Sequence, residues 1–158
     1  MIRSDNIRLG LIGIGIVAIQ IILLRHLKIY GAEPDLILLF ILWLCTKEDR
    51  TKCILFAGAL GLFQDSLTDL WGINMFSKTL LVLIVHHFLS RTSENRFLIW
   101  QIFLIVLAAS FLHNLFIYIV SSFSEVYASD FLVFSLLIAG SLFTAILGSF
   151  LHLVRTDN

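Results

Sequence analysis

Six ionisable side chains fall within or beside apolar runs of the sequence, where a charge is costly and usually has a partner or a function. They are Asp65, Asp69, Lys78, His86, His87 and His113. Asp65 and Asp69 are four residues apart and share a helix face if a helix continues through them. Lys78 follows closely enough in the chain to pair with either acid. One interpretation is a polar lock between Asp65 and Lys78, and the other places both acids in an aqueous loop.

The histidines and cysteines do not predict a metal site. His86 and His87 are neighbours and point about 100° apart on a helix, so they do not converge on one ion. His113 lies in the middle of an apolar run and predicts an interhelical hydrogen bond, without the chain of partners that a proton relay needs. Cys45 and Cys53 have a spacing that fits neither a zinc site nor a disulfide framework. We therefore expect no metal and no cofactor.

The sequence shows no set of catalytic residues typical of an enzyme. It contains no G-x-S-x-G elbow, no P-loop lysine motif and no H-E-x-x-H pair. The two neighbouring acids lack a set of groups with which they could act as general acid and base. The sequence therefore predicts a protein that is not an enzyme and that works by binding.

The composition places the chain in a lipid bilayer. Of its 158 residues, 59% are hydrophobic and only 14% are charged, and its mean hydropathy is +0.97. The charges form short clusters between long apolar runs, as they do in loops of membrane proteins. A net charge of zero argues against nucleic acid as a partner, because nucleic-acid proteins usually carry a basic face.

The apolar runs predict an all-α, polytopic membrane bundle of about six helices, forming one transmembrane domain over residues 1–158. The predicted segments are about 9–24, 34–46, 53–64, 73–89, 97–123 and 131–154. Pro34 fits the first turn of the second segment, where its missing N–H does no harm. The second and third segments are shorter than the roughly 20 residues that a spanning helix needs. Whether these two cross the bilayer is left open.

The distribution of basic residues predicts that both termini are cytoplasmic. With the N-terminus inside, the cytoplasmic ends of the segments carry Arg3, Arg8, Lys47, Arg50, Lys52, Arg91, Arg96 and Arg155. Only Arg25 and Lys28 then lie outside, which agrees with the positive-inside rule. The outer loops 65–72 and 124–130 hold acids and no base, and Trp71 suits the aromatic belt at the membrane surface.

Small residues recur every four positions in the last segment, at Gly140, Thr144 and Gly148. Such a stripe lets two helices approach closely. It is either a docking face for the transmembrane helix of a partner or a packing face inside the bundle, and the spacing fits both.

Three short motifs give the middle of the chain a family likeness. Pro34-Asp35-Leu36 opens a helix, Gly58-x-x-Gly61-Leu62-x-x-Asp65 follows, and Gly72-Ile73-Asn74 precedes an apolar helix. In this order and spacing the motifs resemble the rod shape-determining protein MreD, over roughly residues 34–89. Length, hydropathy and the six-segment layout are similar over the whole chain.

This resemblance implies a non-enzymatic scaffold of the rod complex, or elongasome, in the bacterial inner membrane. The expected direct partner is MreC, a protein with one membrane helix and a periplasmic domain. MreB, RodA and the transpeptidase partner of RodA would belong to the same complex, in which the chain would help position peptidoglycan synthases. Within it, Gly58 and Gly61 would provide close packing, Asp65 with Lys78 the polar lock, and Gly72 with Asn74 the turn. Self-association is left open.

The family is also thought to share its helical arrangement with the substrate-binding subunits of energy-coupling-factor vitamin transporters. On that alternative, the outer loops and the region from Asp65 to Lys78 would form a small-molecule site. Outer loops of only about six to ten residues are short for a lid over a substrate. Together with the motifs, they favour the scaffold.

Overall fold

The computed structural model describes residues 4–24, 32–92, 98–122 and 136–156, and these fold into helices that pack as a bundle. The helices are α1 (Ser4–Ile22), α2 (Leu36–Cys45), α3 (Arg50–Thr68), α4 (Ile73–Thr92), α5 (Ile99–Ser122) and α6 (Ser141–Thr156). A π-helical turn, Leu136–Gly140, leads directly into α6. The predicted class, a helical membrane bundle, is confirmed.

Four of the helical segments are long and apolar enough to cross a bilayer. They are Asp5–Ile22, Ile73–Ser90, Ile99–Ser122 and Leu137–Val154. By contrast, α2 has 10 residues and is about 15 Å long, half of a hydrocarbon core of about 30 Å. The 19 residues of α3 reach about 28 Å, although its composition is less apolar than that of the other four. Crossings by α2 and α3 therefore stay a prediction.

The start of α2 is fixed by Asp35, which corrects the expectation for Pro34. The Asp35 carboxylate accepts a hydrogen bond from the backbone N–H of Leu38 at 2.8 Å and so caps the helix. Pro34 therefore precedes the cap instead of lying in the first turn. It is fully buried, within a non-helical stretch over residues 32–35 that enters the bundle.

The turn between α3 and α4 reverses the chain within a few residues. Asp69 ends α3 in the left-handed conformation with φ 60°, and Gly72 has φ +83°. Gly61 lets the two helices meet, because a Cβ atom there would lie 2.6 Å from the Cα of Met75. Gly58 has more space around it than Gly61, since a Cβ atom at that position would lie 3.5 Å from Oγ1 of Thr79.

The small-residue stripe of α6 faces the inside of the bundle. Thr144 is 1% exposed, and a Cβ atom on Gly148 would lie 2.8 Å from Leu39 of α2 and 3.3 Å from Val106 of α5. A Cβ atom on Gly140 would lie 3.4 Å from Nδ2 of Asn114. In this structure the stripe is used for packing within the chain, so the docking interpretation of Gly140, Thr144 and Gly148 does not hold.

Candidate functional site

A buried ion pair joins the start of α2 to the first third of α4. The Nζ atom of Lys78 lies 2.8 Å from Oδ2 of Asp35, and the Lys78 side chain is fully buried. The predicted lock between Asp65 and Lys78 is therefore wrong, because the partner of Lys78 is Asp35, 43 residues away in the chain. A charge inside a bundle needs such a partner, since burial removes the water that otherwise solvates it.

His113 of α5 completes this cluster and is 1% exposed. Its Nε2 atom lies 3.4 Å from Nζ of Lys78, and its Nδ1 atom lies 3.8 Å from Oδ2 of Asp35. Because an ammonium group only donates, Nε2 acts as the acceptor and the ring proton is assigned to Nδ1, on the side of the carboxylate. The sequence predicted an interhelical hydrogen bond for His113, and the structure supplies it from Lys78, while Nδ1 lies beyond hydrogen-bond distance of the Asp35 carboxylate.

Asp65 serves as the cap of α4. Its Oδ1 atom accepts from the backbone N–H and the Nδ2 of Asn74, at 3.1 and 2.9 Å, and its Oδ2 atom accepts from the N–H of Met75 at 2.9 Å. A carboxylate at a helix N-terminus satisfies free N–H groups and is favoured by the helix dipole. Asn74 Oδ1 in turn accepts from Lys78 at 3.3 Å, so Asp65 contacts the ion pair through Asn74.

The remaining helices attach to the same end of the bundle. The N–H of Asp35 donates to Oγ1 of Thr144 at 3.0 Å, which ties α2 to α6. Gln20 of α1 is 3% exposed and accepts from the N–H of Ile37 at 3.0 Å. Each of the described helices thus contributes to one polar network, which we call the end network: Gln20, Asp35, Asp65, Asn74, Lys78, His113 and Thr144.

Several residues of the end network were predicted, although their arrangement was not. Pro34, Asp35, Asn74 and Lys78 come together around the ion pair, while Gly58, Gly61 and Gly72 lie along the α3–α4 hairpin. Gln20 was missed, although a single amide within an apolar helix is a signal that a buried partner exists. His86, which was placed at the membrane surface, is 8% exposed, and its Nε2 lies 3.1 Å from the carbonyl of Glu48.

A family model described as rod shape-determining protein MreD matches residues 6–155. The chain belongs to the MreD family. No curated protein and no solved structure matches the chain. Its role is therefore in rod shape determination, as part of the rod-shape complex and as a membrane protein with four apolar helices.

In this member of the MreD family, the hydrogen bonds and the ion pair of the end network hold the helices together. Lys78 has three N–H donors, and these face Asp35, Asn74 and His113. The carboxylates of Asp35 and Asp65 both accept backbone N–H groups at the starts of helices. The charges of Asp35 and Lys78 cancel, which lets the cluster stay buried. Among the described residues, no group of three His, Cys, Asp or Glu could hold a metal ion.

Proposed function

We propose that the chain is a non-enzymatic scaffold of the rod complex that binds MreC directly. The observation that carries this proposal is the end network, which contains the buried Asp35–Lys78 ion pair and to which each described helix contributes a polar side chain. Such a network stabilises one arrangement of the helices and so gives a partner a constant surface. Asp35, Asp65, Asn74 and Lys78 bond within the chain, which favours a structural role over chemistry.

The proposed location is the bacterial inner membrane, with both termini in the cytoplasm. Lys47, Arg50 and Lys52 then lie at the cytoplasmic ends of α2 and α3, in agreement with the positive-inside rule. The end network lies at the opposite end of α3, towards the outer surface. There it is close to the side on which MreC carries its periplasmic domain.

In this proposal, the chain holds MreC and helps position peptidoglycan synthases. RodA, its transpeptidase partner and MreB belong to the same complex, and the contact with MreC is the direct one. The energy-coupling-factor alternative requires polar groups that are free to bind a vitamin. The bonds of Asp35, Asp65 and Lys78 within the chain count against it.

The test is affinity purification of the tagged chain in mild detergent from rod-shaped cells, with mass spectrometry of the proteins that stay bound at high salt. The control is a tagged membrane protein of similar size and abundance. Specific recovery of MreC, with RodA or a transpeptidase in smaller amounts, is the expected result. Recovery of an ATPase pair with a coupling subunit, and no MreC, would replace the scaffold by a transporter subunit.

A further inference from the structure

The turn between α3 and α4 carries an exposed tryptophan that does not pack into the bundle. Trp71 is 93% exposed, more than any other large apolar side chain in the described parts of the chain. Asp69, two residues before it, is also exposed and has no ion-pair partner among the described residues. The two Cα atoms lie within about 7 Å, since two residues of chain reach no further. A carboxylate and an indole therefore share one tip.

This tip, Asp69 to Gly72, is held in place from both sides. The N–H of Leu70 donates to the carbonyl of Asp65 at 3.1 Å, and the N–H of Gly72 donates to the carbonyl of Leu70 at 2.6 Å. The Asp65 carboxylate also fixes the first turn of α4. A surface that is already ordered loses little conformational entropy when it binds, which strengthens binding.

We infer that Asp69 and Trp71 form a docking site for an arginine of the single-pass partner, beside the outer end of the partner's membrane helix. This inference rests on the scaffold function proposed above. A guanidinium can pair with a carboxylate and stack on an indole face at the same time. The tip lies at the end of α3 opposite the basic loop, which is the outer surface in the proposed orientation.

Charge distinguishes this partner from the membrane itself. Trp71 alone would suit the headgroup region, where tryptophan is common. An anionic lipid surface repels the Asp69 carboxylate, whereas a basic protein segment attracts it. The sequence also lacks a base between Lys52 and Lys78, and Lys78 is already paired with Asp35, so the tip keeps its negative charge. The pair of side chains therefore fits a cationic protein group better than lipid.

The test measures binding of purified full-length MreC to the full chain in one mild detergent, by microscale thermophoresis, for wild type, Asp69→Asn and Trp71→Leu. Asparagine tolerates the left-handed conformation, so Asp69→Asn removes charge without straining the turn. The matched controls are Asp49→Asn, an exposed acid at the opposite turn, and Trp100→Leu, a tryptophan 59% exposed at the start of α5.

We expect each tip variant to bind MreC about fivefold more weakly at low salt, while both controls bind like wild type. The gap between wild type and Asp69→Asn should close at 1 M salt, because exposed ion pairs are screened there. Tip variants that bind as tightly as wild type at low salt would overturn the docking site and leave the scaffold standing. A wild-type chain that does not bind MreC at all would overturn both.

Discussion

The Asp35–Lys78 pair makes a residue-level prediction about stability. Removing one partner leaves a buried charge without compensation, at a cost of about 3–5 kcal/mol, whereas losing both charges costs less. Asp35→Asn, which keeps the helix cap, and Lys78→Met should each lower the thermal midpoint in detergent strongly, and the double variant less than their sum. Lys52→Met is the control, because the half-exposed Lys52–Glu48 pair at the membrane surface contributes about 1 kcal/mol or less. Strictly additive losses would contradict a coupled pair.

Asp65 and Asp69 are predicted to differ in what they stabilise. Asp65→Ala removes an acceptor from the N–H groups of Asn74 and Met75 and should destabilise the fold by about 1–2 kcal/mol. Asp69→Asn should leave stability unchanged, since the Asp69 side chain is exposed. Thermal unfolding in detergent separates the two. Equal losses would mean that capping of α4 by Asp65 contributes little.

The sequence identified the charged residues of the site and mispaired them. Pro34-Asp35 indicates a helix start, because Asp is a preferred capping residue, and Lys78 within an apolar run indicates a buried partner. Which acid becomes that partner depends on how α2 packs against α4, and spacing along the chain favoured the nearer Asp65. Local signals therefore locate buried charges, while pairing over 43 residues needs the packed helices.

At the level of helices, two glycines of α3 are predicted to respond differently to a methyl group. Gly61→Ala would place its Cβ 2.6 Å from the backbone of Met75, which cannot move aside without shifting α4. Overpacking of this kind costs about 1–3 kcal/mol. Gly58→Ala adds only an ordinary contact with Thr79, and Gly15→Ala of α1 meets nothing within 4 Å. Melting of the three variants in detergent checks the order, and a Gly61→Ala protein as stable as Gly58→Ala would contradict it.

Helix boundaries were predictable where apolar residues end a helix and less so where polar residues continue it. The predicted segment 97–123 agrees closely with Ile99–Ser122. The predicted segment 53–64 is short at both ends, because α3 runs over Arg50–Thr68 and includes its basic start and Asp65. Hydropathy does not detect the first and last turns of α3, because charged side chains at helix ends are stabilised by solvent and caps.

For the whole molecule, the short α2 is compatible with a crossing because its missing length is supplied by non-helical chain. Residues 32–35 enter the bundle without helical structure, and Ala32 and Pro34 are buried there. Backbone of this kind is tolerated at membrane depth only inside protein. The N–H of Asp35 is satisfied by Thr144, and that of Ile37 by Gln20, as this requires. These contacts are those that a broken span needs, and a crossing by this segment stays a prediction.

This arrangement predicts that the two turns flanking α3 lie on opposite sides of the membrane. In a variant without Cys45 and Cys53, a single cysteine is introduced by Asp69→Cys or by Lys47→Cys. An impermeant maleimide added to cells with a permeabilised outer membrane should label the first variant and not the second, because α3 is about 28 Å long and its basic end stays inside. Labelling of Lys47→Cys after lysis controls for access. Labelling of both variants in unlysed cells would mean that α2 and α3 form a re-entrant hairpin, and the bundle would then have four crossings, with the end network still towards the outer surface.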